Sequence, residues 1–159
     1  MNKEYITRKH VITEILGNIC IIASIIYVVY LIVTIDGKIP THFNGAGEAD
    51  KYGSPAVLLG LPITMLFSNF VMAVCMHFLP KDMWNMPFRV NPARELKVYQ
   101  GISYMLALLE LESGVFTLFF TVNFRNGDNA MRIVTMLFLA AVIASIIGAI
   151  VKAARDNKK

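Results

Sequence analysis

The sequence predicts an all-α integral membrane protein, a four-helix bundle with both termini in the cytoplasm and a structured extracytoplasmic loop between helices 1 and 2. Three observations support this prediction: the composition, four apolar runs, and the placement of lysine and arginine. Of the 159 residues, 56% are hydrophobic and 16% are charged, whereas a soluble domain carries roughly 25% charged residues. Because one crossing takes about 20 residues, we expect residues 1–159 to form a single transmembrane domain.

The four apolar runs place the spans at about residues 15–35, 56–79, 98–122 and 131–151. The first run follows basic residues but lacks the short core and small-residue cleavage site of a secretory signal, so we expect an uncleaved span. Glu14 and Asn18 lie one turn apart near its start, where we expect them to reach headgroups or water.

Helix starts and packing faces can be read from the next spans. Ser54-Pro55 and Asn91-Pro92 each predict an N-cap followed by proline at the first helical position. In the second and fourth spans, small residues recur every four positions and so share one helix face; these are Ala56, Gly60, Thr64, Ser68, Ala140, Ala144 and Gly148. Such faces predict close helix packing, within the chain or, as the alternative, in a homo-oligomer.

The basic residues indicate the orientation in the bilayer. Eleven lysines and arginines lie before the first span, between the second and third, or after the fourth, against four at the other ends of the spans. The positive-inside rule therefore predicts cytoplasmic termini and an outward loop at residues 39–55. Trp84 and Phe88, mixed with cations, are typical of a segment at the lipid interface. Because the cations form no single patch, we do not expect nucleic acid as a partner.

Two acidic residues, Glu110 and Glu112, interrupt the third span near its middle. A charge at that depth costs about 2.5–3.5 kcal/mol on insertion scales unless it is paired, hydrated or protonated. Since residues two apart are about 200° apart around a helix, the two glutamates cannot share one face. One hypothesis is a proton or cation site on Glu110, with Asn69, Gln100 or Ser113 as partners, in a small proton- or ion-coupled transporter or transporter subunit. The alternative is a neutral or hydrogen-bonded structural glutamate.

The loop at residues 39–55 is polar and rich in turn-forming residues, which predicts an ordered turn. It carries the side chains His42, Asn44, Glu48, Asp50, Lys51 and Tyr52. Their spacing matches no metal site, and no nucleophile is paired with a base in a recognisable pattern. Cys20 and Cys75 lie inside apolar runs as expected free thiols. We therefore expect neither an enzyme nor a metal or other cofactor.

A pattern in this loop resembles the N-terminal membrane domain of SdpI-type toxin-immunity proteins of bacteria. The matching positions are Pro40, His42, Phe43, Asn44, Gly47, Asp50, Tyr52, Gly53 and Ser54. The resemblance implies a multi-pass protein of the bacterial cytoplasmic membrane whose outward loop recognises an extracellular peptide or toxin, with a cytoplasmic regulator as a second possible partner.

The candidate ligand-binding residues are then His42, Asn44, Gly47, Asp50 and Tyr52 from the resemblance, together with Glu48 from the loop's own polar side chains. Two functions follow from the sequence, namely binding and signalling of the toxin-immunity type, or transport that uses Glu110. A third interpretation is that the loop only braces the first two helices at the membrane surface.

Overall fold

The computed structural model describes residues 3–45, 48–124 and 128–158, and most of them are helical. The helices are α1 (Arg8–Thr34), α2 (Gly60–His77), α3 (Glu95–Asn123) and α4 (Asp128–Lys158). Four segments are long and apolar enough to cross a membrane: Arg8–Thr34, Pro55–His77, Pro92–Asn123 and Arg132–Lys158. The prediction of four membrane-length helices is confirmed, and the chain is a multi-pass membrane protein.

Between α1 and α2 the chain forms an antiparallel β-hairpin of β1 (Ile39–Phe43) and β2 (Ala49–Gly53). The all-α prediction expected an ordered turn here but not strands. Five-residue strands containing proline and glycine carry no alternating apolar pattern, so the signal that predicts strands is missing from the sequence. Gly37 precedes the hairpin with a φ of 119°, a conformation that glycine adopts without a steric cost.

Both predicted N-caps are confirmed. The Ser54 side chain accepts a hydrogen bond from the backbone amide two residues on (3.3 Å), and the Asn91 side chain does the same (3.0 Å). Each cap opens a short 3₁₀ segment, Pro55–Leu59 before α2 and Pro92–Arg94 before α3. Gly60 is the residue at which the 3₁₀ geometry changes to α-helix.

Helix α3 is the central element and packs against each of the other three helices, whereas α4 packs mainly on α3. The closest approach is between α1 and α3 at Gly17 and Gly114. A Cβ atom added to Gly17 would lie 2.4 Å from the Glu110 carbonyl oxygen, and one added to Gly114 would lie 2.2 Å from the Gly17 carbonyl oxygen. Only glycine permits the two backbones to touch in this way.

The small-residue faces predicted on the second and fourth spans do not make this contact. Ala56, Gly60, Thr64 and Ser68 are all exposed, as are Ala140, Ala144 and Gly148. No atom lies within 4 Å of a Cβ built on Gly60 or Gly148. The expectation that the second-span face packs within the chain is therefore wrong. On the fourth span the predicted packing stripe also includes Ser145 and Ala149 beside the exposed face; both are partly buried, and Ser145 contacts Glu112 of α3. The polar groups of α1 and α3 must be buried away from lipid. Gly17 and Gly114 allow these two helices to approach closely enough for that, so this contact determines how the helices pack.

Two apolar clusters define the two ends of the bundle. At the hairpin end, Leu31 of α1, Ile39 of β1 and Phe124 are buried together. At the opposite end, Val98 and Ala153 are buried together, with Trp84 and other residues of the α2–α3 connection packed against them. The hairpin and the N-terminal segment therefore lie at opposite ends of α1.

Candidate functional site

The polar side chains of the hairpin pair with each other across its two strands. His42 Nδ1 lies 2.5 Å from Asp50 Oδ1. The Glu48 backbone amide donates to Asn44 Oδ1 (3.0 Å), and the Asn44 side-chain amide donates to Glu48 Oε2 (3.2 Å). The structure therefore brings four of the six candidate residues into two pairs, His42–Asp50 between the strands and Asn44–Glu48 across the turn.

These pairs lie at the surface. His42 and Asp50 are both exposed, and the hydrogen bond from His42 is the main cause that lowers the pKa of Asp50 below its ordinary value. Tyr52 is 58% exposed and lies opposite Pro40 in the strand pairing. Gly47 lies outside the described residues. The hairpin thus presents an imidazole, carboxylates and a phenol on a fixed backbone.

A cleft of about 500 Å³ lies between the hairpin and the helices beneath it. Its walls come from β1, the start of the α2 region, and the facing ends of α3 and α4; they include Pro40, Thr41, Val57, Leu58, Leu61, Phe120, Thr121, Phe124, Arg132, Thr135 and Met136. The lining is mainly apolar, with three threonine hydroxyls and one arginine as its polar groups. Such a cleft suits a ligand with an apolar segment and an acidic or hydrogen-bonding group.

Glu110 lies in the middle of α3 with 0% exposure. Neither carboxyl oxygen has a hydrogen-bond partner among the described residues. The predicted partners Asn69 and Ser113 are nearby, but they contact its main chain: Asn69 donates to the Glu110 carbonyl oxygen (3.2 Å), and Ser113 donates to Asn69 Oδ1 (2.8 Å). The third predicted partner, Gln100, instead accepts from His10 through its carbonyl oxygen (3.1 Å).

Glu112 faces α4, where the Ser145 hydroxyl donates to its Oε1 (2.5 Å). The prediction that the two glutamates lie on different faces of the third span is confirmed. The two carboxyl groups also differ chemically, because Glu112 has a polar partner and Glu110 has none among the described residues.

Sequence reasoning missed a second polar cluster, between α1 and α2. The two oxygens of Glu14 lie 3.1 and 2.9 Å from His77 Nε2. Glu14 is only 9% exposed, so the expectation that it reaches headgroups or water is wrong. Burial of a carboxylate is tolerated here because the histidine supplies a donor. The spacing of His10, Glu14 and Asn18, each four residues apart and so on one helix face, was the available signal.

A line of buried hydroxyls continues along α3 from Glu110 towards the hairpin. Ser113, Thr117 and Thr121 are all buried. Thr117 and Thr121 each donate to the carbonyl oxygen four residues earlier, at 2.6 and 2.7 Å. Thr121 also lines the cleft. Polar side chains therefore extend from the Glu14–His77 pair, past Glu110, to the cleft under the hairpin.

In the part of the chain that the structure describes, no group of three or more His, Cys, Asp or Glu side chains is placed to hold a metal ion. A single buried carboxyl group between amides and hydroxyls instead offers one ionisable site.

Comparison with known proteins identifies one domain. Residues 19–66 match the model of a family described as a domain of unknown function (DUF1648). No curated protein and no solved structure matches the chain. The matched residues comprise α1 from Ile19 onward, the whole hairpin and the first residues of α2, and they leave Glu110 outside. The matched segment, residues 19–66, contains every candidate residue of the hairpin.

Proposed function

We propose that the chain recognises an extracellular peptide or toxin through the hairpin and the cleft beneath it, as a binding or signalling protein of the toxin-immunity type. The proposal places it in the bacterial cytoplasmic membrane, with both termini and a possible regulator on the cytoplasmic side. It draws on the sequence resemblance to SdpI-type proteins and on the positive-inside distribution of the basic residues.

The observation that carries this proposal is the cleft of about 500 Å³, one wall of which is β1 of the hairpin. A hairpin fixed by the His42–Asp50 and Asn44–Glu48 pairs loses little conformational entropy when a ligand binds. The apolar walls suit the hydrophobic side chains of a membrane-active peptide, and Arg132 supplies a cation for its carboxyl group.

Survival of peptide-challenged cells tests this function. Cells that produce the wild-type chain should survive secreted toxin peptides that kill cells without it, and the double variant His42→Ala/Asn44→Ala should lose this protection. Lys51→Ala is the matched control, because Lys51 is an exposed hairpin residue outside the candidate set. Full protection by the double variant, at equal membrane abundance, would contradict a role for the hairpin.

A second copy of the chain is a further proposed partner. The small-residue faces of α2 and α4 are exposed, and faces of this kind let two helices approach closely in lipid. The surrounding apolar surface meets the lipid bilayer.

A second candidate function, a small proton- or ion-coupled transporter or transporter subunit, rests on one specific observation. The Glu110 carboxyl group is fully buried in a membrane-length helix, and both of its oxygens lack partners among the described residues. A charge there has no compensating donor, which is the condition under which a buried carboxyl group takes up a proton or a cation.

Flux measurements in liposomes test this candidate. Wild-type protein should carry protons down a pH gradient. Glu110→Gln should abolish the flux, because the glutamine amide neither gains nor loses a proton near neutral pH. Glu112→Gln is the matched control, a second glutamate on the same helix that already has Ser145 as its partner. Equal flux through wild-type and Glu110→Gln protein would rule out Glu110 as the site.

A further inference from the structure

The Glu14–His77 pair lies between the surface of the bundle and its buried centre. We propose that Glu110 exchanges its proton with this pair, which is therefore the route by which protons reach the middle of the bundle from the end opposite the hairpin. This inference rests on the second candidate function, and it assigns a role to two residues outside the predicted site.

The outer member of the pair is accessible. The His77 side chain is 31% exposed. It lines an open pocket of about 480 Å³ together with Lys3, Thr7 and Arg8, among others. These polar and charged neighbours make the pocket a place where water meets the end of α2. His77 can therefore exchange a proton with solvent.

The inner member of the pair lies one helical turn from the place where α1 touches Glu110. Glu14 lies one helical turn before Gly17 and Asn18, and Gly17 is the residue whose backbone touches the backbone of Glu110. Asn18 donates to the Glu14 carbonyl oxygen (2.9 Å). Glu14 and Asn18 therefore lie on α1 on either side of the residue that touches the Glu110 backbone.

The transfer needs no group beyond these three side chains. An N–H bond of the His77 imidazolium breaks and an O–H bond forms on Glu14; that O–H bond then breaks and one forms on Glu110. His77 ends neutral, Glu14 returns to a carboxylate and Glu110 ends neutral, so one proton has moved and no charge remains unaccounted for. The second step of the proposed transfer uses rotamer changes of the two glutamates.

Other titratable groups near Glu110 already have fixed partners. On α1, His10 Nδ1 accepts from the Thr7 amide (3.1 Å), and its Nε2 donates to the Gln100 carbonyl oxygen (3.1 Å), so both ring nitrogens are occupied. On the other side of α3, Glu112 is bonded to Ser145 of α4. The Glu14–His77 pair is therefore the group best placed to exchange a proton with Glu110.

Time-resolved infrared spectroscopy after a pH jump tests the inference on the full chain in lipid nanodiscs, where both ends are open to buffer. The carbonyl band of protonated Glu110 is identified by its loss in Glu110→Gln. In Glu14→Gln and in His77→Gln this band should follow the jump on the order of 100-fold more slowly than in wild type, the scale of a lost proton-transfer group. Lys51→Ala is the control, because it removes an exposed titratable group at the hairpin end of the bundle and should leave the rate unchanged.

The outcomes separate the inference from the function. Wild-type rates in both Glu14→Gln and His77→Gln would overturn the inference, and would mean that protons arrive by the groove between α1 and α2 that Asn18 and Asn69 line. Slowed rates in both, with no proton flux in wild-type liposomes, would support the inference while the transport function fails. If either variant changes the Trp84 fluorescence, it is replaced by Glu14→Asn or His77→Asn, which also lack the proton-transfer group and for which the same slowing is expected.

Discussion

Gly17 of α1 and Gly114 of α3 are in backbone contact, and a Cβ atom on Gly114 would lie 2.2 Å from the Gly17 carbonyl oxygen. This contact brings α1 against the middle of α3. Because Glu14 and Asn18 flank Gly17, the contact also determines which side chains face Glu110. The packing of two glycines therefore underlies the whole buried polar cluster.

Gly114→Ala should destabilise the protein, because the added methyl group has no room and the two helices must separate. We expect a loss of about 1–3 kcal/mol, the usual range for overpacking, measured as a lower unfolding midpoint in detergent. Gly148→Ala is the control, since nothing lies within 4 Å of a Cβ at that position. Equal midpoints for the two variants would contradict the contact.

The hairpin should weaken at acid pH. Asp50 has a folded-state pKa below its ordinary value of 3.8, chiefly because His42 donates a hydrogen bond to it. Because the folded-state pKa is the lower one, Asp50 contributes its full stabilisation at a pH above its unfolded-state pKa. That stabilisation is lost as the pH falls through the folded-state pKa. We therefore expect an intact hairpin down to about pH 4 and loosening below it.

Carbon-13 NMR of the Asp50 carboxyl group measures this shift. In His42→Ala the titration midpoint should move up towards 3.8, whereas Lys51→Ala should change it little, because Lys51 is the weakest of the causes that lower this pKa. A midpoint that stays low in His42→Ala would show that the hydrogen bond is not the cause.

Trp84, the single tryptophan, reports on the end of the bundle opposite the hairpin. Its ring lies 5.8 Å from that of Tyr5 and 5.7 Å from that of Tyr99, both edge to face. Tyr5→Ala should expose Trp84 to acrylamide quenching and cost about 0.5–1.5 kcal/mol, the scale of an aromatic pair. Tyr30→Ala, which removes an exposed tyrosine at the other end of α1, should leave the quenching unchanged; equal quenching in both variants would count against the cluster.

Cysteine labelling tests the proposed orientation. In a background without Cys20 and Cys75, the Gly45→Cys variant should react with a membrane-impermeant maleimide on intact cells, since a side chain at position 45 meets open space. The Met83→Cys variant, altered at an exposed position at the opposite end, should react only after the membrane is permeabilised. The reverse pattern would place both termini outside.

Local features of the fold were predictable because they depend on residues close in the chain. The capping of the 3₁₀ segments by Ser54 and Asn91 follows from a polar side chain placed just before a proline. The different faces of Glu110 and Glu112 follow from helix geometry alone. The candidate site was only partly predictable. The sequence indicated the hairpin residues, but their pairing depends on two strands that no sequence pattern predicts.

By itself, the sequence determined four membrane-length helices and the ends at which they begin, because hydrophobicity and capping act over neighbouring residues. Only the tertiary structure decided which polar groups meet. Glu14 and His77 are 63 residues apart, and Asn69 and Glu110 are 41 apart. Buried polar groups must find partners, and which partners are within reach depends on how the helices pack. In this protein the Gly17–Gly114 contact, which no periodicity in the sequence indicates, sets that packing.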